Sequence, residues 1–313
     1  MATTPPRPTP RPLAPSLPPA GRRRGGASGA APGRARTRRV GTVVLAALLA
    51  AATSGLAAAP GADARQAGGG ATRAGGQAPA GPRAYVSNYG DDTVTPIHLA
   101  DGSTGAPIPV GNGPVGLAIT PDGGTIYVAN QDDDDVTPID RATHATGTDI
   151  PVGDVPLGLS ITPDGSTAYV ANAGDDTVTP IDLATGTPGA AIAVADQPFF
   201  VAITPDGSTA YVVSRSGQAV TPIDTATDTA GIAIPVEDSG GTPRSPQSIS
   251  ITPDGSTAYL GIANNSIAFP LDLATDVLGD EFPTGTTSDG WSIAITPDGA
   301  KGYVVGQHTD SVS

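Results

Sequence analysis

From Tyr85 onward the apolar residues fall in short runs, and each run ends in a cluster of Gly, Pro, Asp or Thr. In one unit of this pattern, Leu157 to Thr162 is apolar and small, and Pro163-Asp164-Gly165 turns the chain. Pro presets φ at the first turn position and Gly accepts a positive φ. Ala168 to Asn172 then predicts a second strand, Ala173 to Asp176 a turn, and Val178 to Asp182 a third strand. Ala184-Thr185-Gly186 turns again, and Ala190 to Val194 predicts a fourth strand. Strands of about five residues, spaced about ten apart and joined by hairpins, are what a four-stranded propeller blade requires. No apolar spacing of three and four residues competes with this reading.

The unit recurs. Ile-Thr-Pro-Asp-Gly begins at Ile119, Ile161, Ile203, Ile251 and Ile295, with steps of 42, 42, 48 and 44 residues. Such a period marks propellers, solenoids or arrays, in which one unit cannot bury its apolar face without its neighbours. With Tyr127-Val-Ala-Asn130, Val136-Thr-Pro-Ile-Asp140 and Ile150-Pro-Val-Gly153 set beside it, the chain resembles the YVTN family of β-propeller repeats over roughly residues 84 to 313. The resemblance implies an all-β propeller of the kind found in surface-layer and other exported proteins, similar also to lactonase-like propellers. The repeat motifs themselves are scaffold.

The third strand carries a proline in every complete copy: Pro96, Pro138, Pro180, Pro222 and Pro270. A proline removes one ladder donor, which sheets tolerate at edges and bulges. Either the outermost strand is short or loosely paired, or a duplication copied one tolerated proline; the two are compatible. The chain starts with strands two to four of a blade (Ala84 to Val110) and continues through four full blades. It closes with a first strand at Trp291 to Thr296, a second at Gly302 to Gly306 and a stub at Asp310 to Ser313. This layout predicts five to six blades, an arc of an incomplete seven-bladed ring.

Charge separates the chain into regions. Residues 1 to 83 hold 12 of its 16 Lys and Arg and one acid, Asp63, whereas residues 84 to 313 hold four basic residues against 29 acids, a formal net of −25. A surface of that sign repels phosphate backbones and anionic headgroups, which argues against nucleic acid and peripheral membrane as partners. Residues 1 to 39, rich in Pro, Arg, Ala and Gly, predict disorder. Val40 to Ala59 contains a short apolar core behind Arg34, Arg36, Arg38 and Arg39, and Ala62-Asp63-Ala64 is a small-x-small cleavage site. Residues 40 to 64 therefore read as a secretory signal, or else as an uncleaved anchor; both place the acidic region outside the cytoplasm. Residues 65 to 83 read as a flexible linker.

The candidate chemistry is sparse. The absence of cysteine excludes disulfides, thiolate metal sites and a cysteine nucleophile. No G-x-S-x-G elbow is present, and His98, His144 and His308 lack ligand spacing. No catalytic residue, metal ligand or cofactor is assigned. Acid clusters at Asp91-Asp92, Asp132 to Asp135 and Asp175-Asp176 occupy one turn class, as solvated hairpin tips or as Ca²⁺ ligands without an EF-hand loop. The aspartates ending the third strands, Asp140, Asp182, Asp224 and Asp272, predict bonds to the following turn amides.

The repeats are least regular where each blade begins. That slot reads Val115, Leu157, Phe199, Gln247 and Trp291, and the next reads Gly116, Gly158, Phe200, Ser248 and Ser292. The six-residue expansion between Val236 and Pro246 belongs to the same loop class and brings Glu237, Asp238 and Arg244. Phe199, Phe200, Arg244, Gln247 and Trp291 are thus the expected ligand set, near one mouth of the channel. Two function classes remain: an exported, non-catalytic propeller that binds a protein, glycan or small molecule, or a lactonase-like hydrolase using Arg244 with Glu237 and Asp238.

Overall fold

A computed structural model describes residues 81–263, 265–285, 290–306 and 311–312. Of the N-terminal region, signal and linker expected over residues 1 to 83, all but residues 81 to 83 lie outside the described residues, as does His308, and Arg83 already belongs to the first strand. The described residues are all-β and form six successive antiparallel sheets arranged as propeller blades. Blade one supplies strands two to four, Arg83–Asn88, Thr93–His98 and Ile108–Pro109. Blades two to five are complete, with first strands at Pro114–Ile119, Pro156–Ile161, Pro198–Ile203 and Pro246–Ile251. Blade six holds Gly290–Ile295, Gly302–Gly306 and Ser311–Val312. Five to six blades of an open series are what the repeat count predicts.

The first strands of consecutive blades run side by side, so they form the inner wall on which the blades stack. Two glycines make this approach possible. A Cβ at Gly116 would lie 2.2 Å from the Leu157 carbonyl oxygen, and one at Gly158 would lie 2.6 Å from that of Phe199. On the rim formed by the first-to-second-strand turns, Gly165, Gly207 and Gly255 hold φ of +74°, +76° and +71°. Each presents its open face to the proline of the preceding blade's turn, Pro121, Pro163 or Pro205. The Thr-Pro-Asp-Gly motif therefore closes its own hairpin and seats the next one. Within it, Thr162 Oγ1 donates to Asp164 Oδ1 at 2.6 Å and accepts from the Thr167 amide at 3.1 Å.

Apolar clusters fill each space between blades, as the stacking of one-sided sheets demands. Between blades two and three, Ala118, Tyr127, Ala129, Val136 and Ile150 meet Leu159, Ala168, Val170 and Ile181. Between blades four and five, Tyr211, Val213, Val220 and Val236 meet Ile249, Leu260, Phe269 and Leu271. Tyrosines of the second strands span some of these interfaces. Tyr169 Oη donates to Asp228 Oδ1 at 2.7 Å, and Tyr211 Oη donates to Asp276 Oδ1 at 2.9 Å.

The third-strand prolines explain the outer strand. Tyr85, Tyr127, Tyr169, Tyr211 and Tyr259 pair in register with Pro96, Pro138, Pro180, Pro222 and Pro270. A strand residue's N–H and C=O point the same way. Each proline carbonyl accepts outward from a fourth-strand glycine, as Gly189 N to Pro180 O at 2.7 Å, so the missing N–H also faces outward. The inner ladder loses nothing. The outer strand instead breaks in two, with Thr187–Pro188 and Ile192–Ala193 both pairing with Thr177–Asp182. This corrects the continuous fourth strand expected over Ala190 to Val194. Gly189 is needed at the break, where a Cβ would come within 3.0 Å of the Pro180 ring.

Candidate functional site

The acidic turns are fasteners between blades. Asp92, Asp134 and Asp176 adopt φ of 55°, 57° and 56°, a left-handed conformation that Asp tolerates. Each turns its Oδ1 to a backbone amide 21 residues ahead, on the loop leading into the next blade: Gly113 at 3.0 Å, Val155 at 2.9 Å and Gln197 at 2.7 Å. The four consecutive aspartates separate in the same way. Asp132 accepts from Tyr89 Oη, Asp133 from the Asn112 amide and side chain, Asp134 from Val155, and Asp135 from Asn130 Nδ2. Asn112 holds the Asp133 carboxyl below its usual range, whereas burial raises that of Asp135 despite the Asn130 bond. Among the described residues no group of three His, Asp or Glu is arranged to hold a metal. The tips are largely exposed, as expected of solvated turns, and they also hold backbone amides of the adjoining loops.

The third-strand aspartates behave as expected. Asp140, Asp182, Asp224 and Asp272 each accept from the amides two and three residues on. The Thr143 and Thr275 hydroxyls, and then the amides, hold the carboxyls of Asp140 and Asp272 below the ordinary range, and the Thr185 amide does so for Asp182.

The five residues of the expected ligand set are distributed differently from a single cluster. Phe200 folds against the apolar cluster between blades four and five. Phe199 stands half-buried beside it, its carbonyl facing Gly158. Arg244 pairs with Asp238 of its own loop. Asp238 also accepts from the amides of Gly240 and Thr242, at 3.0 and 2.8 Å. The Thr242 amide and then Arg244 hold its carboxyl below the ordinary range. This acid fixes a hairpin, whose strands bridge at Glu237 and Pro243. Trp291 lies on the first strand of blade six.

Gln247 has a partner that the sequence pattern did not single out. It is 2 % exposed. With its oxygen facing blade four, it accepts from Arg215 Nε at 3.3 Å and Nη2 at 3.0 Å. Ser248, 4 % exposed, has a buried Oγ without a hydrogen-bond partner. Arg215 forms no ion pair among the described residues, where Arg244–Asp238 is the one found. In the other blades the Arg215 column reads Tyr89, Gln131, Ala173 and Ala263. Arg215 and Gln247 thus meet as polar side chains at this boundary; the Ser248 column repeats its serine at Ser292, and the Arg215 column is also polar at Gln131. Comparing the Arg215 column between repeats, as was done for Gln247, would have found it. Chemically, the arrangement leaves Nη1 and one Nη2 proton of a half-buried guanidinium, plus a serine hydroxyl, for a hydrogen-bond acceptor.

A second polar group lies between blades one and two. Arg83 Nη1 donates to His144 Nε2 at 3.0 Å, and Tyr85 meets the His144 ring edge to face, centroids 6.2 Å apart. Burial, and then Arg83, lowers the His144 pKa. An apolar groove of about 260 Å³ also lies between blades five and six, lined by Tyr259, Phe282, Ile293, Ile295, Lys301 and Val304 among others. Phe199, Phe200, Arg244 and Gln247 do not line it.

No family model matches the chain. No curated protein matches it either. Among solved structures the chain is similar to Kuenenia stuttgartiensis hydrazine synthase, at 21% identity and a TM-score of 0.53, over 74% of this chain and 91% of that one. Identity at that level speaks for fold alone, and one fold hosts many functions.

Proposed function

We propose that this chain is an exported, non-catalytic β-propeller, related to YVTN repeat proteins, that serves as a binding or cell-envelope module. The observation that supports it most is the polar group at the boundary of blades four and five. Arg215, Gln247 and Ser248 replace residues that other blades fill largely with apolar or small side chains, and Ser248 Oγ is buried without a partner. Buried polar groups are normally satisfied, so an unmet hydroxyl beside an arginine without a counter-ion fits a ligand that supplies the acceptor. The partner is a protein, glycan or small molecule, and the export signal within residues 40 to 64 would deliver the propeller to the cell surface or beyond.

A lactonase-like hydrolase needs an acid free to act as base beside the arginine. Asp238 is held by two amides and Arg244, which leaves exposed Glu237 as the acid for that alternative. The test is to incubate the full chain and its Arg244→Ala variant with γ- and δ-lactones while following acid release. The binding reading expects both to match buffer alone. Turnover by the parent that vanishes in Arg244→Ala would overturn it. Mass spectrometry of the exported protein should locate its N-terminus just after Ala64, and retention of residues 1 to 64 would instead establish the anchor.

A further inference from the structure

The second-strand tyrosines, six with Tyr303, provide an internal standard. Tyr169 and Tyr211 each donate to the carboxylate of an aspartate on the next blade's third-to-fourth-strand turn, Asp228 and Asp276. Both aspartates hold the left-handed conformation, with φ of 52° and 55°. The position equivalent to Asp228 facing Tyr85 is His144, the same 59 residues ahead and with φ of 60°. At this interface the carboxylate is missing. Tyr85 is 4 % exposed, and its hydroxyl is buried without a partner.

A cation has arrived in the same place. In the four complete blades the residue two before the tyrosine is Thr125, Thr167, Thr209 or Thr257; before Tyr85 it is Arg83, and in blade six it is Lys301. Relative to the interface of blades three and four, the slot has therefore lost a negative charge and gained a positive one. Arg83 Nη1 is engaged by His144 Nε2. A guanidinium only donates, so Nε2 accepts and the neutral ring carries its proton on Nδ1. Arg83 Nε is buried and has no partner. The nearby carboxylate, Asp140, is occupied by the Ala142 and Thr143 amides and the Thr143 hydroxyl. What remains without a partner is the Nε edge of the guanidinium, part of the fork that receives a carboxylate side-on, together with a phenol that elsewhere in the molecule donates to one.

We propose that Arg83, Tyr85 and His144 form a binding site for the carboxylate of an external ligand, which takes the place that Asp228 and Asp276 fill at the equivalent interfaces. The site lies between blades one and two and does not depend on the ligand set of blades four and five. A carboxylate there accepts from Arg83 Nε and Nη2 and from Tyr85 Oη, while His144 holds the opposite edge of the guanidinium.

The test uses the full chain and acetate as probe, with ionic strength held constant by chloride. The chain has three histidines, so the His144 ring resonances can be assigned with a His144→Asp variant. Acetate should shift them saturably. Arg83→Gln should weaken that response about tenfold or more, the effect of one lost charge-assisted bond pair, and Tyr85→Phe should weaken it less. In His144→Asp an internal carboxylate restores the arrangement seen at Tyr169 and Tyr211, whereas at Tyr127 the same position is Gly186. That variant should melt higher than the parent and lose the rise in melting temperature that acetate gives the parent by mass action. No saturable shift, an equal response to inorganic phosphate, or an unchanged response in Arg83→Gln would overturn the proposal.

Discussion

Replacing Gly116 with Ala places one methyl group at the closest approach between two blades. The new Cβ would lie 2.2 Å from the Leu157 carbonyl oxygen and 3.2 Å from the Gly158 Cα. Both obstacles are backbone, so no rotamer relieves them, and the first strands of blades two and three must separate by about 1 Å to restore ordinary contact. Separation would also loosen the Ala118, Leu159 and Val170 packing behind them. Overpacking of this kind costs about 1–3 kcal/mol, and the rigid partner places Gly116→Ala near the upper end. At about 2–4 °C per kcal/mol for a domain of roughly this size, the melting temperature should fall by about 6–12 °C. Two controls separate the causes. Gly102→Ala meets nothing within 4 Å but has φ of +72°, so it reports backbone strain alone, about 1 kcal/mol. Gly302→Ala meets nothing and carries no positive φ, so it should be near neutral. Urea unfolding of the three variants gives the ranking. If Gly116→Ala unfolds at the same midpoint as Gly302→Ala, the first strands are not packed as described.

The acidic turns give a second contrast: Asp134→Ala, which removes the bond to the Val155 amide, should lower the unfolding midpoint more than Asp132→Ala, whose carboxylate contacts only the exposed Tyr89 hydroxyl. Equal effects would leave these acids as solvated tips only. Burial first, and then Asp228, raises the ionisation of Tyr169 well above 10.0, and burial with Asp276 does the same for Tyr211. A raised folded pKa gives stability that is present below the unfolded value and lost as pH climbs past it, so unfolding should ease above about pH 10 and less so in Tyr169→Phe. The sign reverses for the turn aspartates. Asp164, Asp206 and Asp254 are lowered from 3.8 first by the Thr162, Thr204 and Thr252 hydroxyls, so stability should hold above about pH 4 and fall only as pH drops through their folded values. Urea midpoints measured from pH 2 to 11 would check both limbs.

The features legible in the sequence are those encoded within a few residues. Thr162-Pro-Asp-Gly165 specifies its own hairpin, and its recurrence at a period near forty gives the blade and the stacking together. The aspartates ending the third strands act on amides two and three residues away, and they too were readable. The less visible features connect residues in different repeats. Asp134 and Val155 are 21 residues apart in neighbouring blades, and an aspartate on a hairpin tip has the same local sequence whether or not it clamps a neighbour. The broken outer strand had a signal, a glycine nine residues after each proline, from Pro96 and Gly105 to Pro270 and Gly279. Its meaning depends on which way the proline faces, which strand pairing alone reveals. In the ligand set, the column containing Gln247 was visible as irregular, but Arg215 belongs to a different turn and became its partner only through the stacking of blade four on blade five.

The central claim, that antiparallel blades stack along their first strands, is tested most directly by a nuclear Overhauser measurement on a glycine-labelled sample. The Gly116 and Gly158 α-protons belong to different blades and 42-residue-separated positions, yet their backbones meet. A strong cross-peak between them is the result the stacked propeller requires. Its absence, in a sample whose Tyr127–Pro138 and Tyr169–Pro180 strand pairings are intact, would contradict the architecture and every site placed upon it.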